Sequence, residues 1–448
     1  MNIALCHFRV GETDGVSLEM DKWKIALEQL GHKVIYIAGS AGNCEAEIIP
    51  DLHYQHPVNN RIVENVYQNF MSYSFEKSLK SEIFSLAESI ERDLINLIEK
   101  NNIDVIVPNN ILSLGWGLSA GIAFTKAIQK TGVRALCHHH DFHWERDLYS
   151  NPKVGFATDL LKEYFPPVNE RISHVCINHI AKEELKVRYG VEADVVPNVF
   201  DFQDELIVVD DYNRNLRKEL EINPGDLVFM QATRVVERKA IELAIDFVSE
   251  IGKQKENLVN KRLYRGDKFE SDSEIYLVFA GKNESADYYQ KLIDYAEQKG
   301  VKVLDISERL SHKRSFKSGT NIYSLWDAYS IADMITYPSI LEGWGNQFLE
   351  AIVAKLPVVV YKYPVYLTDI ERFNFNIISL GSEHILQDGL VKVEDRIVKI
   401  AADEAIPYLL DSDYRKAKVN FNYKIASEQL SVNSLREMLS KVLGDERN

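Results

Sequence analysis

Two doubly wound α/β domains in series are what this sequence predicts, and three observations carry that expectation. Its 448 residues exceed what one ordinary core of roughly 150 residues holds. Short apolar runs alternate with segments of helical period, the pattern of βαβ units and parallel sheets. The alternation occurs twice, on either side of a charge-rich stretch of low pattern content at 198–223, which reads as the interdomain passage.

Residues 2–8 form the first apolar run. A helix-period segment follows with Trp23, Ala26, Leu27 and Leu30 on one face, closed by Gly31, and a strand at 33–37 completes one βαβ unit. Strands are expected at 104–107, 133–137, 174–177 and 194–196, with helices at about 75–100, 115–130 and 180–188. The second series opens with a strand at 227–231 and continues at 275–280, 302–304, 334–337 and 357–361. Between its first helix and second strand, residues 253–273 mix both charge signs and read as a solvated insertion. Beyond 395 the chain reads as three helices, the last at 432–442.

Composition narrows the function classes. With 46% hydrophobic and 27% charged residues the chain is globular, not disordered. A formal net charge of −15, with no basic surplus in either half, disfavours nucleic acid and anionic membranes as partners. Cys6, Cys44, Cys137 and Cys176 show no C-x-x-C spacing and read as reduced thiols. No run approaches the ~18 apolar residues of a spanning helix, and the opening MNIALCHFRV reads as a buried strand and not a signal peptide. A cytoplasmic protein is expected. No G-x-G-x-x-G follows the first strand and no phosphate loop of the G-x-x-x-x-G-K-[ST] type occurs, so a dehydrogenase or epimerase is weakly supported.

Ligands in open α/β folds bind at the carboxyl ends of the strands, so two such domains predict a central cleft lined by those loops. The most informative stretch runs from Ala332-Asp333 to Glu350. A strand ends at Tyr337-Pro338-Ser339, a turn with Gly343 and Gly345 follows, and a helix begins near Asn346 and Gln347. That geometry aims free backbone N–H groups at a phosphate. Glu342 before the helix and Glu350 within it suit the diols of a nucleotide sugar, one for the sugar and one for the ribose. In a second stretch, Arg234 and Lys239 flank the turn after the first strand of the second domain, where two cations neutralise a diphosphate leaving group. Cys137-His138-His139-His140-Asp141 invites a metal reading, yet successive strand residues alternate faces, so the three imidazoles do not converge on one ion.

Taken together, E-G-x-G-x-x-x-L-E-A from Glu342, with Ala332-Asp333, Pro338-Ser339 and Pro357-Val358-Val359 around it, resembles the signature of the retaining glycosyltransferases of family 4, which have the GT-B fold. Thr233-Arg234 to Lys239 resembles that family's G-R-x-x-x-x-K-G, with Ala232, Thr233 and Ala240 departing from its glycines. Pro197-Asn198 resembles its P-N-G-V-D, read here as a hinge. The resemblance runs from about residue 1 to 443. It implies two Rossmann-like domains: an acceptor domain at 1–200, completed by a returning helix at 430–448, and a nucleotide-sugar domain at 201–429. It also implies transfer of a hexose from a UDP-, GDP- or ADP-sugar to an acceptor hydroxyl by front-face substitution, with no cofactor and no metal. By position in the motifs, His140 becomes a contact of the transferred sugar, Arg234, Lys239 and Glu342 join it as catalytic residues, and Gly15 marks the loop where backbone meets phosphate and sugar. Gly343, Gly345, Asn346, Gln347 and Glu350 complete the nucleotide-sugar set. Trp144-Glu145-Arg146-Asp147 resembles an extension found in a subset of members, read either as shaping the acceptor site or as packing. A catalytically silent sugar-binding or partner subunit is the reading from another class, since several family glycines are replaced; retention of all four charged residues argues against it.

Overall fold

The computed structural model describes residues 1–12, 14–202, 206–317 and 319–444. They divide into two compact units: Met1–Val199 together with the chain from Val432 onward, and Phe200–Ser431. The last four residues of the helix expected over 430–448 lie outside the described set; the helix itself spans Val432–Leu443.

The first unit is built on seven strands: β1 (Asn2–His7), β2 (Lys33–Ala38), β3 (Glu47–Ile48), β4 (Val105–Pro108), β5 (Arg134–His139), β6 (Ile172–Cys176) and β7 (Ala193–Val195). All pair parallel in the order β3-β2-β1-β4-β5-β6-β7, with the order reversing at β1. Successive residues of β1 point to opposite faces and bury them both. Ile3 and Leu5 pack with Trp23 and Leu27 of the helix Gly15–Gln29 and with Leu435 and Leu439 of the final helix. Ala4 and Cys6 face Leu79, Ile83 and Phe124 of the helices Glu76–Lys100 and Leu118–Thr131. Leu435, Leu439 and Leu443 recur every fourth position, and burying each contributes about 1.5–3 kcal/mol, which accounts for the final helix joining this unit.

In the second unit, β8 (Leu227–Gln231), β9 (Ile275–Phe279), β10 (Lys302–Asp305), β13 (Met334–Tyr337), β14 (Val358–Val360) and β15 (Ile378–Ser379) form a parallel sheet ordered β10-β9-β8-β13-β14-β15. Between β10 and β13 the chain makes a small hairpin from β11 (Ser315–Lys317) and β12 (Thr320–Ile322). The helices Asp395–Leu410 and Ser412–Gln429 follow the sheet.

One expectation is corrected here. The 253–273 stretch is no solvated insertion: Leu258, Leu263 and Phe269 are buried, and Arg265 reaches the carboxylate of Asp333, itself 1% exposed. The same carboxylate accepts hydrogen bonds from Tyr264 Oη at 3.0 Å and from the Val228 amide at 2.8 Å. Three apolar residues at irregular spacing carry no period, so their burial is not evident from pattern. The change of unit falls inside 198–223, between Val199 and Phe200, and further along the stretch Asn213 and Leu216 are buried and Arg217 donates to the Asp226 carbonyl at 2.7 Å, within the second unit. Among the described residues no helix is long and apolar enough to cross a membrane.

Candidate active site

The site is built where β8 and β13, neighbours in the second sheet, come to their carboxyl ends. After β8 the chain turns at Thr233, whose hydroxyl accepts from Gln231 Nε2 at 2.6 Å, while Gln231 Oε1 accepts from the Thr336 hydroxyl at 2.7 Å. Val235 then bridges to Asn283 beyond β9, and a single 3-10 turn, Glu237–Lys239, delivers Arg238 and Lys239. Ala240 closes that turn in the left-handed region (φ 45°, ψ 47°), so the tight turn survives the loss of the family glycine. Gly281 is what the turn cannot lose: a Cβ there would overlap the Thr233 carbonyl and the Arg234 amide.

Beyond β13 the loop carrying Glu342 folds back over this turn. The Ile340 amide donates to the Arg238 carbonyl at 3.0 Å, and Arg238 Nη1 donates to the Leu341 carbonyl at 3.0 Å and to Glu342 Oε2 at 3.1 Å. Lys239 Nζ donates to Glu342 Oε1. Lys239 is 3% exposed, and its ammonium lies 5.8 Å from the centre of the Tyr337 ring. Burial alone would raise the Glu342 carboxyl, but Lys239 and Arg238 outweigh it and hold it below the ordinary range, so Glu342 is ionised at neutral pH. The three groups together carry one net positive charge.

The helix Asn346–Val353 starts directly after the loop. Its N-cap is Gly345 at φ 133° with no side-chain cap, and its first turn holds no acidic residue. A Cβ at Gly345 would run into the Tyr363 hydroxyl, and that hydroxyl donates to the Trp344 carbonyl at 2.5 Å. Phe348, Leu349, Ala351 and Ile352 bury one side of the helix. Gly343 is exposed on the loop, and Asn346 and Gln347 are half-buried at the helix start. Glu350 sits in the second turn and accepts from Tyr329 Oη at 2.8 Å. Arg234 is half-exposed and donates Nη1 to both oxygens of Glu284, at 2.8 and 2.9 Å. A cavity of about 730 Å³ opens nearby at the ends of β9 and β10, lined by Lys282, Asn283, Tyr289, Asp305, Ser307 and Leu310 among others.

In the first unit, Gly15 opens the helix Gly15–Gln29, and the Asp14 carboxylate already accepts from the amides of Val16 and Ser17 at 3.2 Å each. His140 follows β5. Its backbone N–H and that of Asp141 donate to Asn110 Oδ1 at 2.7 and 3.1 Å. Burial pushes the His140 imidazole down to about 4, against the pull of Asp141, so it is neutral at pH 7. His139 points away, with Nε2 2.9 Å from Nδ1 of His174. Trp144 stacks on Phe142 at 4.3 Å and lies under the Arg188 guanidinium, while Glu145 accepts from the Phe142 amide at 2.7 Å, so this extension packs its own loop.

The structure therefore brings Lys239 and Glu342 together, leaves Arg234 on Glu284 and Glu350 on Tyr329, and adds Arg238, Asn109, Asn110 and Gly281, which sequence reasoning missed. Arg238 stands beside a motif lysine and reads as one more surface cation. Gly281 directly after an apolar run is a signal of close backbone approach, and Asn109-Asn110 at a strand end reads as an ordinary turn.

Residues 213–374 match the family model of Glycosyl transferases group 1. The chain is 42% identical to the mannosylglucosylglycerate synthase of Petrotoga mobilis, over 92% of this chain and 94% of that protein. It is 38% identical to the synthase of the same name from Thermotoga maritima, over 98% and 99%. Anabaena HepE, solved in complex with UDP and glucose, shares the fold with a TM-score of 0.57 at 14% identity, covering 99% of this chain and 100% of that one. That fold is GT-B, two Rossmann-like α/β domains. With relatives so similar across nearly their full lengths, the chain belongs to the glycosyltransferase family of these two synthases.

Proposed function

We propose that the protein is a retaining glycosyltransferase of family 4 that moves a mannosyl group from a nucleoside diphosphate sugar to a hydroxyl of glucosylglycerate. The observation that carries the chemistry is the Lys239–Glu342–Arg238 cluster beside the start of the helix Asn346–Val353. Its net positive charge and the positive dipole end of that helix, whose first turn holds no acidic residue, face developing diphosphate charge without reorganising, the arrangement that stabilises a departing anion. The acceptor follows from the name of the two synthases, and a diphosphate donor agrees with UDP in the HepE complex.

In this reading Lys239 and Arg234 neutralise the leaving diphosphate, Glu342 orders the two cations and meets the sugar, and Glu350 holds the ribose. The cavity at the ends of β9 and β10 takes the nucleoside. Gly15 marks the backbone approach and His140 contacts the transferred sugar. The anomeric C–O bond to the β-phosphate breaks, the acceptor oxygen bonds the anomeric carbon on the same face, and the acceptor proton passes to the leaving phosphate oxygen. The protein cations supply the charge, so no metal and no protein nucleophile are required. The work belongs in the cytoplasm, where nucleotide sugars are at hand.

Calorimetry with UDP, GDP and ADP tests the division of the two glutamates. Glu350→Gln is expected to weaken the preferred nucleoside diphosphate by about tenfold, the worth of a charge-assisted hydrogen bond. Glu342→Gln, which releases Lys239 and Arg238 from their counterion, is expected to leave that affinity intact or raise it. Equal loss in both variants contradicts the assignment.

A further inference from the structure

We propose that Asn109 is a positioning residue that sets the imidazole of His140 with its proton on Nε2 and its lone pair on Nδ1, so that His140 meets a sugar hydroxyl as an acceptor. The proposal rests on the reading of His140 as the sugar contact.

Asn109 follows β4 and bridges to His138 on β5. Its amide has one permitted orientation. Nδ2 lies 3.0 Å from the Val107 carbonyl and 3.5 Å from the Cys6 carbonyl, and carbonyl oxygens only accept. Oδ1 is therefore the end that receives protons. It lies 2.9 Å from His138 Nδ1 and 3.3 Å from His140 Nε2, and its two lone pairs match one N–H from each ring. The Asn109 backbone carbonyl adds a third case, 2.8 Å from His7 Nδ1. One asparagine thus assigns the proton on three imidazoles.

A neutral imidazole carries a single proton, so an N–H at Nε2 of His140 leaves Nδ1 as a bare acceptor. Strand alternation brings His138 and His140 to the same side, with ring centres 4.1 Å apart. His138 is closed to ligands: it is 1% exposed and stacks on Trp23 at 4.2 Å. His140 is only half-buried and is the one of the two that a sugar reaches. Asn110 adds the second constraint by fixing the backbone at His140 and Asp141. Two adjacent asparagines divide the task, one holding the ring's proton and the other its place.

Long-range proton–nitrogen correlation on the ¹⁵N-labelled full chain, without ligand, reads the tautomer directly. The expected result is a protonated Nε2 and bare Nδ1 for His140, and the reverse for His138 and His7. Asn109→Leu is expected to let His140 populate both tautomers and to lower kcat by about tenfold, the order found when a group orienting a functional histidine is removed. A proton on Nδ1 of His140 in the unaltered protein overturns the proposal, as does an unchanged tautomer in Asn109→Leu. Because the spectrum needs no substrate, its outcome is independent of whether sugar transfer is found.

Discussion

With Lys239 in the proposed role, Lys239→Ala is expected to lower kcat/KM for sugar transfer by about 10²- to 10³-fold, the magnitude that follows when one donor to a developing anion is removed from a water-poor site. The loss is expected to fall on kcat more than on KM, because in the proposed reaction charge on the diphosphate grows as the anomeric C–O bond of the donor breaks and the interaction strengthens with it. Lys239 is nearly fully buried and shares Glu342 with Arg238, so the three act as a unit. Glu342→Gln is expected to cost a similar factor in turnover. The double variant is expected to be little worse than the more damaged single one, since either change already disables the cluster. Steady-state kinetics on the two single variants and the double variant decide the matter. Full additivity separates the two residues, and unchanged turnover in Lys239→Ala removes it from the reaction.

The second large effect lies at the opposite ends of the same strands. Asp333 precedes β13 and is surrounded by Arg265, Tyr264 and the Val228 amide, with Arg217 3.9 Å away and Arg415 Nη1 donating to its backbone carbonyl at 2.7 Å. Arg415 also stacks its guanidinium 3.9 Å from the centre of the Tyr264 ring. Removing the carboxylate takes the buried partner from Arg265, leaving it only the more exposed Asp267, and strips the Val228 amide and the Tyr264 hydroxyl of their acceptor, which together cost about 3–5 kcal/mol. Asp333→Ala is therefore expected to destabilise the second unit by that amount in denaturant titration, and Arg265→Ala by a comparable amount. A four-residue strand rises about 13 Å, so Asp333 is too far from the reacting groups to touch them. The folded fraction is expected to keep its kcat. A variant of normal stability contradicts this account of the arginine cluster.

The expectation of two doubly wound sheets rested on long-period signals, and those survive in the structure. Trp23, Ala26 and Leu27 fall on one helical face and are buried, and the strand at 227–231 is recovered residue for residue. Elements too short to show a period were not legible: β3 has two residues, and the β11 and β12 hairpin has three per strand. The candidate site was legible as far as each motif is local. A strand, a glycine turn and a helix start follow one another within Met334–Tyr337 and Asn346–Val353, and one stretch of sequence contains them all. What joins the motifs was not legible. Lys239 and Glu342 are separated by 103 positions and meet only because β8 and β13 are neighbours in the sheet. Arg265 reads as a surface charge until Asp333 is found beneath it, and Asn109 reads as a turn residue until three imidazoles are found around it.

The most direct test of the proposed reaction is the product itself. Incubating the full chain with an α-linked nucleoside diphosphate mannose and glucosylglycerate, and following the anomeric proton by NMR from the first turnovers, reports both the transfer and its stereochemistry. The account predicts an α-mannoside on the glucosylglycerate, formed as nucleoside diphosphate is released. A β-mannoside contradicts the front-face mechanism, and release of free mannose without a new glycoside contradicts the assigned acceptor.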